Sequence, residues 1–187
     1  KKFFEKWLPA VAPRLAPRTL DGYEGYIRRY ALEHLEQMKL SEIRSFHIQD
    51  VYIGVKKSAT TVRNLHAALR ACFSYAVRSG VLRFNPCKNV ELPQRKRPEI
   101  SVMTIEQANR FAEICRTMPN GVIFEFALET GMRPEEYLAL RWRDISGCEV
   151  SVQLAVQFNR KGGGYYFKEL KTARSRRRIP ISEDLRQ

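Results

Sequence analysis

Residues 130–144 read Thr130-Gly-Met-Arg-Pro-Glu-Glu-Tyr-Leu-Ala-Leu-Arg-Trp-Arg-Asp144. Gly131 suits the left-handed cap of a helix before it, and Pro134 suits the first turn of a helix after it. Arg133 lies between them. Its guanidinium is therefore expected beside a helix N-terminus, where unpaired N–H groups already favour an anion. In a chain this basic, the expected anion is a nucleic-acid phosphate.

Upstream of this stretch the pattern is helical. Thr104-Ile-Glu-Gln107 has the capping-box spacing. The helix it opens is expected to bury Phe111 and Ile114 or their neighbours, and a second apolar helix covers roughly residues 122–129. Downstream of Asp144 the period changes. Val150, Val152, Leu154, Val156 and Phe158 alternate with other residues, which predicts one half-buried strand. Lys161-Gly-Gly-Gly164 is a turn, and residues 165–171 and 178–181 read as further strands.

The first half reads as four helices. Phe3, Phe4, Trp7 and Leu8 form an amphipathic stripe ended by Pro13. A second helix runs from about Thr19 to His34, and a short one lies near residues 47–55. The polar break at Lys56-Lys57-Ser58-Ala59-Thr60-Thr61 supplies a cap for a long helix whose apolar stripe is Val62, Leu65, Leu69, Cys72, Phe73 and Ala76, ended at Gly80. Asn85-Pro86 stops this bundle, and residues 92–98 form a basic, proline-rich linker. The expected fold is mainly α with a small antiparallel β-sheet, an α+β arrangement. Its domains are expected at 1–90 and 101–187, joined by a linker at 91–100.

The chain has 187 residues and a formal charge of +13, unevenly spread. Residues 1–98 hold 19 Lys and Arg against 8 Asp and Glu, whereas residues 99–187 hold 14 against 12. The first half is therefore the expected polyanion contact. Four scattered cysteines lack CxxC spacing, and three histidines lack ligand spacing, so no disulfide framework, metal site or cofactor is expected. No signal peptide or 18-residue apolar run is present, which points to a soluble intracellular protein without a membrane partner.

Three segments in this order resemble the tyrosine recombinases, the phage-type integrases. Residues 58–93, SATTVRNLHAALRACFSYAVRSGVLRFNPCKNVELP, look like the end of that family's core-binding domain. TGMRPEEYLALRWRD looks like its first-arginine motif, and Lys171-Thr-Ala-Arg-Ser-Arg-Arg-Arg-Ile-Pro-Ile181 resembles its lysine-bearing hairpin, usually written KT..S.R.IPL. The resemblance implies a four-helix SAM-like core-binding domain followed by a truncated integrase-type catalytic domain. It implies site-specific cutting and rejoining of double-stranded DNA through a 3′-phosphotyrosyl intermediate, in the cytoplasm of a prokaryotic cell or phage-infected host. It also implies self-association, since the family acts as a tetramer on two DNA sites.

Residue by residue, the resemblance makes Arg133 the first catalytic arginine, holding the scissile phosphate. Lys171 becomes the hairpin lysine that protonates the leaving 5′ oxygen. Glu136 would buttress the cations, although a carboxylate in a first helical turn is stabilising anyway. Arg174, Arg176, Arg177 and Arg178 read as a phosphate-facing side of the hairpin. For the first domain, Arg18, Thr19, Lys56, Lys57, Thr60, Thr61, Arg63 and Asn64 are the expected DNA contacts, and Arg95, Lys96 and Arg97 would follow the backbone.

The family pattern also needs an H-x-x-R motif, a further His or Trp, and a late tyrosine nucleophile. No histidine follows His66, and the sequence stops at Gln187. Tyr137, Tyr165 and Tyr166 fall where the family keeps no nucleophile. The expectation is thus a fragment, inactive alone, with something upstream of Lys1 also left out. The alternatives are a naturally truncated relative that binds recombination-site DNA without cutting it, and a generic helical RNA-binding or scaffold protein.

Overall fold

The structure is a computed structural model and describes residues 1–95, 99–159 and 162–186. The chain divides into two compact units, Lys1–Glu99 and Ile100–Gln187.

The first unit is helical: α1 (Lys2–Val11), α2 (Pro17–Tyr30), the short α3 (Leu32–Leu35), α4 (Ser45–Gly54) and α5 (Ala59–Arg78). α1 runs through Pro9 and tightens into a 3-10 turn at Ala12–Arg14, so Pro13 sits within that turn. Pro17 opens α2 at a position where its missing N–H costs nothing. α5 is the spine of the unit. Val62, Leu65, Leu69, Cys72, Phe73 and Ala76 are all buried, and the first five pack in one core with Phe4, Trp7, Ile27, Ile48 and Val51. Ser58 caps α5 by accepting from the Thr61 N–H at 3.3 Å. Polar ties also fix the neighbours of α5. The Tyr52 hydroxyl meets His66 Nδ1 at 3.0 Å, and Asn85 donates to the Arg70 carbonyl at 3.0 Å and to Ser74 Oγ at 2.8 Å. The segment after the bundle stays attached as far as Pro93, because Gln49 exchanges hydrogen bonds with the Glu91 backbone and Arg63 Nε donates to the Pro93 carbonyl at 3.0 Å.

The second unit begins with α6 (Ile105–Thr117), α7 (Val122–Thr130) and the single turn α8 (Pro134–Tyr137). The capping box is formed: the Gln107 N–H donates to Thr104 Oγ1 at 3.2 Å, and the Thr104 N–H donates to Gln107 Oε1 at 2.9 Å. The buried residue of α6 is Cys115, however, while Phe111 is half-buried and Ile114 is 50% exposed. Gly131 ends α7 with φ of 59°, and its N–H bonds the Ala127 carbonyl. That left-handed conformation is the one glycine adopts without a Cβ clash.

The alternating run does not form one strand. It splits at Gln153 into β2 (Glu149–Val152) and β3 (Leu154–Phe158), which belong to different sheets. β2 pairs antiparallel with β1 (Ile145–Ser146) and with β5 (Arg177–Pro180), while among the described residues β3 pairs with β4 (Tyr165–Glu169) alone. The inward phase changes at the break. Val150 and Val152 are fully buried, yet in β3 the buried residue is Ala155 rather than Leu154 or Val156. The unit's core gathers Met132, Val150, Val152 and Ile181, with Phe126, Tyr137, Leu140 and Ile179 around them. All four cysteines are free thiols, and no helix among the described residues is long and apolar enough to cross a membrane.

Candidate active site around Glu136

Arg133 is extended backbone directly before α8, and the turn it introduces is only Pro134–Tyr137. A helix this short carries almost no macrodipole, since the dipole needs aligned turns. The position beside its first N–H groups is already occupied. Glu136 folds back, and its Oε2 accepts from the Arg133 backbone N–H at 3.0 Å. The anion at this helix start is thus the chain's own carboxylate, and an external anion would be met by the guanidinium alone.

Glu136 is buried, with its side chain 4% exposed, and two arginines hold it. Arg133 Nη1 donates to Oε1 at 3.0 Å. Arg177, brought in from β5, donates from Nη2 to Oε2 at 2.8 Å and from Nη1 to Oε1 at 3.4 Å. Burial alone would push the Glu136 carboxyl up. The hydrogen bonds from Arg177 and from the Arg133 backbone and side chain outweigh it and bring the value down to about 2. The carboxylate is therefore permanently charged at physiological pH.

The two arginines differ in what they have left. Arg177 is 31% exposed, and its Nη1 also bonds the Ser175 carbonyl at 3.2 Å, so it is committed to the fold. This corrects the expectation that Arg177 belongs to a phosphate-facing side of the hairpin. Arg133 is 73% exposed and makes one side-chain bond, through Nη1. Its remaining N–H groups have no partner among the described residues. A guanidinium fixed by one arm with the other donors directed outward is suited to the non-bridging oxygens of a phosphodiester. Arg177 could have been found from the sequence. It fills the R of S-x-R-x-I-P, and strand alternation puts it on the same inward face as Ile179.

Lys171 is not on a strand. It lies in the connection between β4 and β5, is exposed, and makes no hydrogen bond or ion pair among the described residues. The lysine that does bond near the cluster is Lys168 of β4, whose Nζ donates to Glu135 Oε2 at 2.9 Å and to Gln157 Oε1 at 3.0 Å. Further along the motif, Asp144 accepts from the backbone, Nε and Nη2 of Arg141 and fixes the turn leading into β1.

In the first unit, Lys56, Lys57 and Thr60 are exposed around the start of α5, and Arg18 and Thr19 are exposed at the start of α2. Among the expected contacts, Thr61, Arg63 and Asn64 also do internal work. The Thr61 hydroxyl meets Ser58 Oγ at 3.1 Å, Arg63 holds Pro93, and Asn64 Nδ2 donates to the Tyr26 hydroxyl at 2.9 Å. Arg95 is exposed, while Lys96 and Arg97 lie outside the described residues. Burial, with the nearby Arg70 and Arg63 charges, lowers the pKa of His66, so α5 presents its positive charge through its arginines at neutral pH.

The chain is similar to known proteins in sequence and in fold. Residues 1–54, which span α1 to α4, match the family described as phage integrase, N-terminal SAM-like domain. A tyrosine recombinase XerC-like protein of Caldanaerobacter subterraneus subsp. tengcongensis is 32% identical over 188 residues, covering 90% of this chain and 48% of that protein. An integrase of Saccharopolyspora erythraea is 23% identical, covering 86% of this chain and 38% of its own length. The chain thus spans about half or less of the length of these relatives. Among solved structures, the Tn1549 transposon integrase in complex with a circular intermediate DNA superposes with a TM-score of 0.80 at 20% identity, covering 98% of this chain and 61% of that one. A lambda integrase dimer bound to a COC′ core site gives 0.71 at 18% identity, covering 90% and 61%. At such identities the likeness is one of fold.

Proposed function

We propose, from the premise that this chain's homologues are tyrosine recombinases and phage integrases, that it is part of a site-specific DNA recombinase. The substrate is double-stranded DNA, cut and rejoined through a 3′-phosphotyrosyl intermediate. The observation that carries this reading is the buried Glu136 carboxylate, held by two arginines so that most of one guanidinium faces outward. Arg133 binds the non-bridging oxygens of the scissile phosphate and stabilises the charge that grows in the transition state. Lys171, an ammonium on an exposed connection, protonates the leaving 5′ oxygen, a task for which a guanidinium gives up its proton too reluctantly. The covalent link conserves the phosphodiester energy, so rejoining needs no nucleotide cofactor. Lys56, Lys57, Thr60, Arg18 and Thr19, with the 95–97 segment, supply phosphate contacts along the duplex.

The nucleophilic tyrosine is assigned to none of the tyrosines present. Among the described residues, the exposed Val122, Phe124 and Leu128 of α7 and the 89% exposed Trp142 form apolar surface suited to self-association. The test is covalent capture. The product of the complete gene, incubated with nicked suicide duplexes carrying its target, is expected to retain the label on the 3′-phosphate side of the break after denaturation. Binding to the same duplexes with no covalent product, over a range of sites, would favour a binding module that occupies recombination sites without cutting.

A further inference from the structure

α8 carries two adjacent glutamates, and each takes a cation from a different sheet. Glu136 holds Arg177, the first residue of β5 in the three-stranded sheet. Glu135 holds Lys168 of β4 in the two-stranded sheet, with Lys168 also bonded to Gln157 on the paired strand. Lys168 and Arg177 flank the connection from β4 to β5, and that connection carries Lys171.

Between these stems the connection is ordered by its own bonds. Thr172 Oγ1 meets Ser175 Oγ at 2.9 Å, the Ser175 N–H bonds the Thr172 carbonyl at 3.0 Å, and Leu170 packs on the core of the unit. The weak point is β3–β4. A two-stranded sheet has little stability of its own, and only one of its residues, Ala155, is buried. β3 itself lies against α8, and the tie at Lys168 extends that attachment to β4, the strand that leads into the connection.

We propose that Glu135 and Lys168 are a positioning pair: by pinning β4 to α8 beside the Arg133–Glu136–Arg177 cluster, they set the reach of Lys171. The pair touches no reacting atom itself. Its role in the reaction rests on the assignment of Lys171 above, while its effect on the connection does not.

The test is amide hydrogen exchange on the 187-residue chain, followed by duplex-DNA binding. Glu135→Gln should speed exchange across residues 166–176 by about three- to fivefold, the range of a half-exposed ion pair, and leave β1 and β2 unchanged. Lys168→Arg, which keeps the charge, and the exchanged pair Glu135→Lys/Lys168→Glu should retain or restore protection. Unchanged exchange overturns the proposal. So does an increase spread equally over the whole second unit, or one that the exchanged pair fails to reverse.

In DNA binding, Glu135→Gln should weaken affinity as Lys171→Ala does and add nothing in the double variant. Simple removal of a negative charge would tighten binding instead, and that result would also overturn the proposal. If Lys171→Ala leaves both binding and the rate of covalent capture unchanged while the exchange result holds, the functional assignment of Lys171 fails and the positioning of the connection stands.

Discussion

Glu136 is where the site's electrostatics are decided. Folding holds its carboxyl at about 2 against an ordinary value of 4.5, so the folded state binds the proton more weakly than the unfolded chain. The resulting stabilisation is complete above about pH 4.5 and is lost as pH falls toward 2. It amounts to roughly 3 kcal/mol by linkage. Acid titration of the second unit, followed at its backbone amides by NMR, should show this loss in the wild type and a flatter profile in Glu136→Gln.

The two arginines should separate stability from activity. Arg177→Ala removes a committed partner of a buried charge and should destabilise the second unit by roughly 3 kcal/mol. Arg133→Ala should cost clearly less in urea denaturation, because Arg133 is 73% exposed and Arg177 remains on the carboxylate. Equal costs for the two variants would mean that Arg133 is also held chiefly for the fold.

At the scale of elements, the helices were the legible part, because one stripe of apolar residues at helical spacing has one way to be buried. α5 matches its sequence pattern residue for residue, and the Thr104–Gln107 box formed as written. The strands were less legible. Val150 through Phe158 alternates without interruption, so nothing in the periodicity marks Gln153 as the point where the chain leaves one sheet for another. Small Ala155 carries the inward position in β3, and an alanine gives little hydrophobic signal.

Arg133 stood out from its Gly–Pro frame and Glu136 entered through the family resemblance, whereas Arg177 joins them through a pairing of strands remote in sequence. The cap at Gly131 offers a check on this local reading. Gly131→Ala, at φ of 59°, should destabilise the second unit by about 1 kcal/mol with no change in the Glu136 hydrogen bonds. Substitution without thermal or urea-induced loss would mean that the left-handed cap is not required.

For the whole molecule, charge and length set the terms. The net charge of +13 resides mostly in the first unit, where Lys56 and Lys57 stand exposed at the start of α5. Duplex affinity should therefore fall steeply with salt, and replacing both lysines by alanine should reduce the logarithmic salt slope by about 2, uniformly across sequences. The apolar surface of the second unit should make sedimentation depend on concentration, and Phe124→Ser with Leu128→Ser should suppress that dependence.

In the proposed reaction Arg133, presented by Glu136, serves the scissile phosphate. The most direct test is the single-turnover rate of covalent capture by the complete gene product on suicide DNA, wild type against Arg133→Ala. A loss of roughly 10²- to 10³-fold, with duplex binding changed only slightly, is the predicted result. Capture by Arg133→Ala at the wild-type rate would exclude Arg133 from the reaction.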